Sequence, residues 1–172
     1  MDCYRKSAVE AFEKAETLVR AWLEEECITR VDVYLNGLGD VGDTRCQLTT
    51  DGERKSVHID RNAGSTINKL RGMQALPGRG AWFYSHLWME MPEGVLHQES
   101  DWMCEPDMGF DEVPLGSCKT ELDRYPRDQE FIPDWLRYKV ESWRLERGPV
   151  VARRVAHLEE EFRLEGGKYR YP

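Results

Sequence analysis

The chain has 172 residues, with 24 Lys+Arg against 32 Asp+Glu, a formal charge of −8 and a pI near 5.1. Hydrophobic residues make up 40% and charged residues 33%, a mix too polar for a membrane protein, too apolar for a disordered one, and sufficient to bury one core without disulfide or metal staples. The acidic balance argues against non-specific nucleic-acid binding, which needs a basic stripe, and leaves room for a basic protein partner.

The first segment predicts a helix: Tyr4, Ala8, Ala11/Phe12, Ala15, Val19 and Trp22/Leu23 recur at three- and four-residue steps. Glu24-Glu25-Glu26 closes it, an unfavourable charge for a helix C-terminus. Val31, Val33 and Leu35 then alternate with polar neighbours as a strand, and Asn36-Gly37 and Gly39-Asp40-Val41-Gly42 are turn chemistry. Cys46, Leu48 and Thr50 form a second strand. Asp51-Gly52 turns it into a third through Val57 and Ile59. A helix from Asn62 or Ser65 ends before Pro77-Gly78. Residues 81–91 predict the strongest strand, with Ala81, Phe83, Ser85, Leu87, Met89 and Met91 on one face and Trp82, Tyr84, His86, Trp88 and Glu90 on the other. Large side chains on both faces predict a central strand covered on part of each. A partner strand over 95–102, a loop over about 104–118, a helix carrying Ile132, Trp135/Leu136, Lys139/Val140 and Trp143, and a final helix over 150–164 complete the order. The expected fold is α+β: an antiparallel meander sheet flanked by N-terminal and C-terminal helices, as a single domain over 1–147 with a helical extension over 148–172.

Five cysteines (Cys3, Cys27, Cys46, Cys104 and Cys118) make an odd number with no C-x-x-C spacing, which reads as reduced thiols. With no apolar run of signal-peptide or membrane-spanning length, the expected location is the cytoplasm. His58, His86, His97 and His157 form no H-x-x-x-H pair, although His86 and His97 could meet across their hairpin; half-buried, hydrogen-bonded strand histidines are the simpler reading. Gly37-Leu38-Gly39-Asp40-Val41-Gly42 is a literal G-x-G-x-x-G, but a strand follows where a phosphate cradle needs a helix N-terminus, so a hairpin loop is expected. Cys104 sits beside acids, which weakens it as a nucleophile. The sequence thus assigns no catalytic residue, no metal ligand and no cofactor.

The acidic stretch is more informative. Residues 99–112 hold six acids and no base, interleaved with Trp102, Met103, Met108 and Phe110. A solvated acidic loop, a carboxylate pair for acid–base work, and a charge-steered protein interface all fit that pattern. The interface reading places Glu99, Asp101, Trp102, Glu105, Asp107, Phe110, Asp111 and Glu112 in a partner-binding patch centred on Trp102 and Phe110. Asp128, after Pro126, is placed to cap a turn, and Arg127 is expected to organise the fold by pairing with a carboxylate.

Three stretches occur in a telling order: Gly78-Arg79-Gly80-Ala81-Trp82-Phe83, then Gln98-Glu99-Ser100-Asp101-Trp102 with Glu105-Pro106, then Leu122-Asp123-Arg124-Tyr125-Pro126-Arg127-Asp128 running on to Ile132-Pro133-Asp134-Trp135-Leu136. This order resembles the YezG-like immunity proteins of bacterial polymorphic toxin systems, especially their actinobacterial branch. The resemblance covers 78–136 well and the N-terminal part loosely; the acidic strand keeps only part of the family's alternation of Asp and aromatic residues, and nothing after about 144 matches. It implies a small non-enzymatic cytoplasmic protein that binds and neutralises a cognate secreted toxin, a nuclease or a NAD-degrading toxin, without touching nucleic acid or membrane itself. The alternatives are a small hydrolase or metal-dependent enzyme using carboxylates of the acidic loop, and a regulatory protein-interaction module.

Overall fold

The computed structural model describes residues 2–109 and 112–147. Helix α1 (Asp2–Glu25) leads into strands β1 (Arg30–Leu38), β2 (Val41–Thr50) and β3 (Glu53–Val57), then helix α2 (Arg61–Met73), strands β4 (Tyr84–Glu90) and β5 (Leu96–Asp101), helix α3 (Leu115–Arg124), a short 3-10 turn at Gln129–Phe131, and helix α4 over 134–147. The five strands form one antiparallel sheet in the order β3-β2-β1-β4-β5. Two successive hairpins run outward on one side, and α2 carries the chain back across to β4 beside β1. The expected α+β architecture, a meander-like antiparallel sheet with helices from both ends of the chain, is the one observed. The extension over 148–172, including the expected helix over 150–164, lies outside the described residues.

Local chemistry explains the elements. Ala15, Val19 and Leu23, spaced by four, are fully buried on the inner stripe of α1. The helix stops where Cys27 takes a left-handed backbone (φ 54), letting the Ile28 N–H reach the Leu23 carbonyl. Asp60 caps α2 by accepting from the Asn62 and Ala63 N–H groups. Asp51 and Gly52, both at positive φ, make the two-residue turn between β2 and β3.

Helices α1 and α2 pack together on one face of the sheet. There Val31, Val33, Leu35, Cys46, Leu87, Met89 and Leu96 meet Val19, Leu23, Ile67 and Leu70 in the main core. A second cluster (Leu38, Phe83, Met108, Val113, Cys118, Leu136 and Val140) fills the end where β1 finishes and β4 begins, under α3 and α4. The strict alternation expected over 81–91 fails at its start. Regular pairing begins only at Tyr84, so Trp82 turns into the helix-side core and donates Nε1–H to Gln74 Oε1, while Phe83 enters the second cluster.

Helix α3 was expected as loop for its first residues and unassigned thereafter. Its inward positions are Ser117, Cys118 and Glu121, so the apolar stripe that betrays a buried helix is missing. Glu121, 0% exposed, joins three parts of the chain: its carboxylate accepts from the Gly39 N–H (2.7 Å), from Arg71 Nη2 (2.7 Å) and from Arg127 Nη2 (3.4 Å). Arg127 in turn donates to the carbonyls of Ala81, Trp102 and Phe131, and Arg71 donates to the Trp82 carbonyl and lies over the Tyr125 ring. Two glycines make room for this cluster. Gly39 (φ +59) would carry a Cβ 2.4 Å from the Ser117 carbonyl oxygen, and Gly80 (φ +79) one 2.5 Å from Arg127 Nε. The Gly-x-Gly loop is therefore a hairpin whose turn N–H is given to the chain's own carboxylate, Glu121.

Candidate functional site

The face of the sheet opposite α1 and α2 is closed at its Leu38 end by the second cluster, under α3 and α4. It carries the even-numbered residues of β1 and β4 with their register partners on β2 and β5. Tyr34, His86, Trp88 and His97 form a continuous row across it. Tyr34 stacks on His86 (centroids 4.6 Å apart, planes at 11°), His86 on Trp88 (4.9 Å, 28°) and Trp88 on His97 (5.1 Å, 16°). Rings lying side by side in one plane would collide at these separations, so the planes face one another. Such aromatic pairs each contribute about 0.5–1.5 kcal/mol beyond area burial. The large residues on both faces of β4 are thus explained by one face covered by α1 and α2 and another covered in part by its own stacked rings and by the loop carrying Cys104 to Asp107.

Under this row lies Asp32, 1% exposed. Its carboxylate takes two hydrogen bonds from Arg30, at 2.7 Å each, and one from His86 Nε2 at 2.9 Å. Arg30 also pairs with Glu90. The hydrogen bonds from Arg30, then that from His86, hold the Asp32 carboxyl below the usual carboxylate range against the opposing effect of burial. A carboxyl lowered on folding contributes stability that is fully present above its unfolded pKa, about 3.9, and is lost as pH falls through its folded value. The Asp32→Asn variant is accordingly expected to show a shallower loss of stability below about pH 4 than the parent chain; urea midpoints measured across that range check it, and parallel acid limbs would refute the assignment. His86 pairs with Glu99 in the hairpin register and His97 with Trp88. The Trp88 ring stands between the two imidazoles, so they do not meet as the sequence allowed.

Among the described residues of the expected patch, Glu99 and Asp101 do not share a face with Trp102. Glu99 and Asp101, at odd positions of β5, belong to the open face; Gln98, Ser100 and Trp102 belong to the helix side. Trp102 packs against the main core, its ring under the Arg79 guanidinium (4.3 Å). It lines a broad, largely apolar groove of about 1200 Å³ with Val9, Met73, Leu76, Pro77 and Tyr125. Phe110 and Asp111 lie outside the described residues, and Glu112 is exposed. The alternation of residues 96–102 carried this division, since Leu96, Gln98, Ser100 and Trp102 share a face.

Glu105 and Asp107 do join the open face. With Tyr34, Asn36, Arg45, Gln47, Tyr84 and Cys104 they line a cavity of about 380 Å³ at one end of the aromatic row. The acidic loop is also less bare than a count over 99–112 implies. Asp107 accepts from Arg45 of β2 (3.1 Å) and Glu105 from Lys139 of α4 (3.3 Å), and Asp101 Oδ1 accepts the Met103 and Cys104 N–H groups. Asp107 is held below the usual carboxylate range, first by the Gly109 N–H and then by Arg45. Burial, then Asp101, pushes the Cys104 thiol up to about 11, leaving almost no thiolate at neutral pH. The residues that sequence reasoning missed are Tyr34, Arg45, Tyr84, His86, Trp88 and His97. Their signal was the phase of Tyr84, His86 and Trp88 opposite the buried Ser85, Leu87 and Met89.

Among the described residues no three His, Cys, Asp or Glu side chains form a group that could hold a metal ion, and no helix is long and apolar enough to cross a membrane. No family model matches the chain, and comparison with curated proteins finds no match.

Proposed function

We propose that the chain is a non-enzymatic binding protein, an immunity protein of the YezG-like kind that it resembles, which neutralises a cognate bacterial toxin by covering a basic active site with its open sheet face. One observation carries this reading. Partly exposed Tyr34, Tyr84, His86 and Trp88 lie on that face, beside the carboxylates of Glu99, Asp101, Glu105 and Asp107. Aromatic groups that give up solvent at small conformational cost, ringed by charge of one sign, are what a fast and specific protein interface uses. The carboxylates beside the rings repel a phosphate backbone, so the surface suits a protein better than single-stranded nucleic acid. A nuclease and a NAD-degrading toxin both present basic phosphate-binding clefts, and both fit an acidic face.

Asp32 and Asp107 are unsuited to the role of general acid. A general acid at neutral pH needs a raised carboxyl pKa, whereas Asp32 and Asp107 are both lowered. A cytoplasmic location follows from the immunity reading, since the toxin must be met before it acts.

The test is co-expression with the toxic product of the adjacent gene. Rescue of growth and a co-purifying complex that loosens as salt is raised are expected. Absence of both rescue and complex, or turnover of a small-molecule substrate by the chain alone, would overturn the reading.

A further inference from the structure

Strand β5 is an outer strand of the sheet, and its free edge differs from the one at the other end. Strand β3 exposes Glu53, Arg54 and Lys55, charges of both signs that discourage another strand from pairing there. Strand β5 holds no Lys, Arg or Pro. In an antiparallel strand the backbone groups of successive residues point to opposite edges. The Asp101 carbonyl accepts the Phe83 N–H (2.8 Å) and the Glu99 carbonyl accepts the Ser85 hydroxyl (3.2 Å), so the odd-numbered residues face β4 and the even-numbered ones face outward. Side chains hold the two ends of this outward row. Glu16 accepts the Leu96 N–H (3.1 Å), and, just past the strand, Arg127 donates to the Trp102 carbonyl (3.0 Å). Between them the outward N–H and C=O groups of Gln98 and Ser100 have no partner among the described residues.

Two donors and two acceptors at strand spacing are complementary to an extended backbone. The two sides of β5 set what that backbone carries. On the helix side Gln98 and Ser100 open on the apolar groove, with Val9, Met73 and Leu76 in its walls. On the open face Glu99 stands exposed between them. An added strand therefore places apolar residues opposite Gln98 and Ser100 and one residue opposite Glu99, where a cation is favoured and a carboxylate is not. A second copy of this chain fits badly, because a two-fold pairing through both residues sets Glu99 against the same glutamate of the other copy.

We propose that a short extended segment of the protein partner, with a basic residue between two apolar ones, adds to β5 as a sixth strand through the backbones of Gln98 and Ser100. It ends before Trp102, whose carbonyl Arg127 already holds. The inference deepens the binding-protein reading and rests on it for the identity of the partner, but the edge can be tested without the partner.

The probe is the peptide acetyl-Thr-Val-Lys-Val-Thr-amide, titrated into the full chain and followed by amide NMR and hydrogen exchange. The Gln98 and Ser100 amides are expected to shift saturably and to exchange roughly tenfold more slowly at saturation. N-methylation of both valines, whose N–H groups face β5 in the added strand, abolishes binding; N-methylation of the lysine, whose N–H faces away, is tolerated. Replacing the lysine with glutamate weakens the peptide about threefold, and Glu99→Lys reverses that preference. Loss on methylating the lysine, or tolerance at the valines, overturns the added strand. Gln98 and Ser100 amides already protected in the free monomer mean that the chain covers its own edge, and a dimer that Ser100→Pro dissociates gives the edge to a second copy; either result overturns the proposal. If growth rescue holds while the peptide fails to bind, the edge proposal alone falls; if the peptide binds while rescue and complex are absent, the immunity reading falls and the edge site remains.

Discussion

Replacing Glu121 with alanine is expected to lower the stability of the domain by about 3–5 kcal/mol, the cost of breaking a buried ion pair from one side. The carboxylate is 0% exposed and faces two guanidinium groups, Arg127 at 0% and Arg71 at 11% side-chain exposure. Its removal leaves both cations with carbonyl acceptors and ring contacts but no counter-charge, and leaves the Gly39 N–H without its acceptor. For a domain of this size that loss lowers Tm by on the order of 10 °C. Arg127→Ala is expected to cost a comparable amount, because it strips a donor from the Ala81, Trp102 and Phe131 carbonyls as well as from Glu121. Residues that share one network do not add. The double variant should therefore lose clearly less than the two single losses together. Chemical denaturation of the three variants decides the matter: a Glu121→Ala midpoint indistinguishable from the parent, or strict additivity, would show that the cluster does not hold α3 to the sheet.

This cluster also shows where sequence reading reaches its limit. The N-terminal helix, the hairpins at Gly39-Asp40 and Asp51-Gly52, and α2 were legible because each follows from spacing or turn chemistry within a few residues. Helix α3 was not, because the inward position that would identify it is occupied by a glutamate. That position is acceptable only when Arg71, 50 residues earlier, and Gly39, 82 residues earlier, are brought to it. Arg127, by contrast, was expected to pair with a carboxylate and organise the fold, and it does pair with Glu121. Two of the stretches that carry the family resemblance meet here: Gly78 and Arg79 form bridges with Arg127, and the Gly78 carbonyl accepts the Asp128 N–H. Those residues thus act on the fold itself.

The candidate surface was legible in its charge and misread in its geometry. Six acids without a base over 99–112 looked like an unneutralised loop, yet Arg45 reaches Asp107 across 62 residues and Lys139 comes from α4 to Glu105. Only the fold brings these cations near. Periodicity within β5 did separate Glu99 and Asp101 from Trp102. What it could not show was that the opposite face of β4 covers itself in part with stacked rings, since a strand with large residues on both sides reads the same way under a second layer.

Trp88 and Trp102 therefore make opposite predictions, and the pair locates the interface. Trp88 sits in the middle of the row on the open face, between His86 and His97. Its truncation to alanine removes two ring contacts worth about 0.5–1.5 kcal/mol each, a modest loss of stability. At the centre of a partner-facing surface it should cost about 2 kcal/mol or more of binding, roughly thirtyfold in Kd. Trp102 packs against the main core on the other side, beneath Arg79. Because it is only partly buried, its truncation should cost about 2–3 kcal/mol of stability, below the 3–5 of a fully buried tryptophan, and leave the affinity of the folded protein nearly unchanged. Urea midpoints and calorimetric Kd values with the co-purified partner separate the two effects. If Trp88→Ala binds as the parent does while folded Trp102→Ala has lost its partner, the interface lies in the groove beside Met73, Leu76 and Tyr125, and the open face is a self-stacked surface that no partner covers.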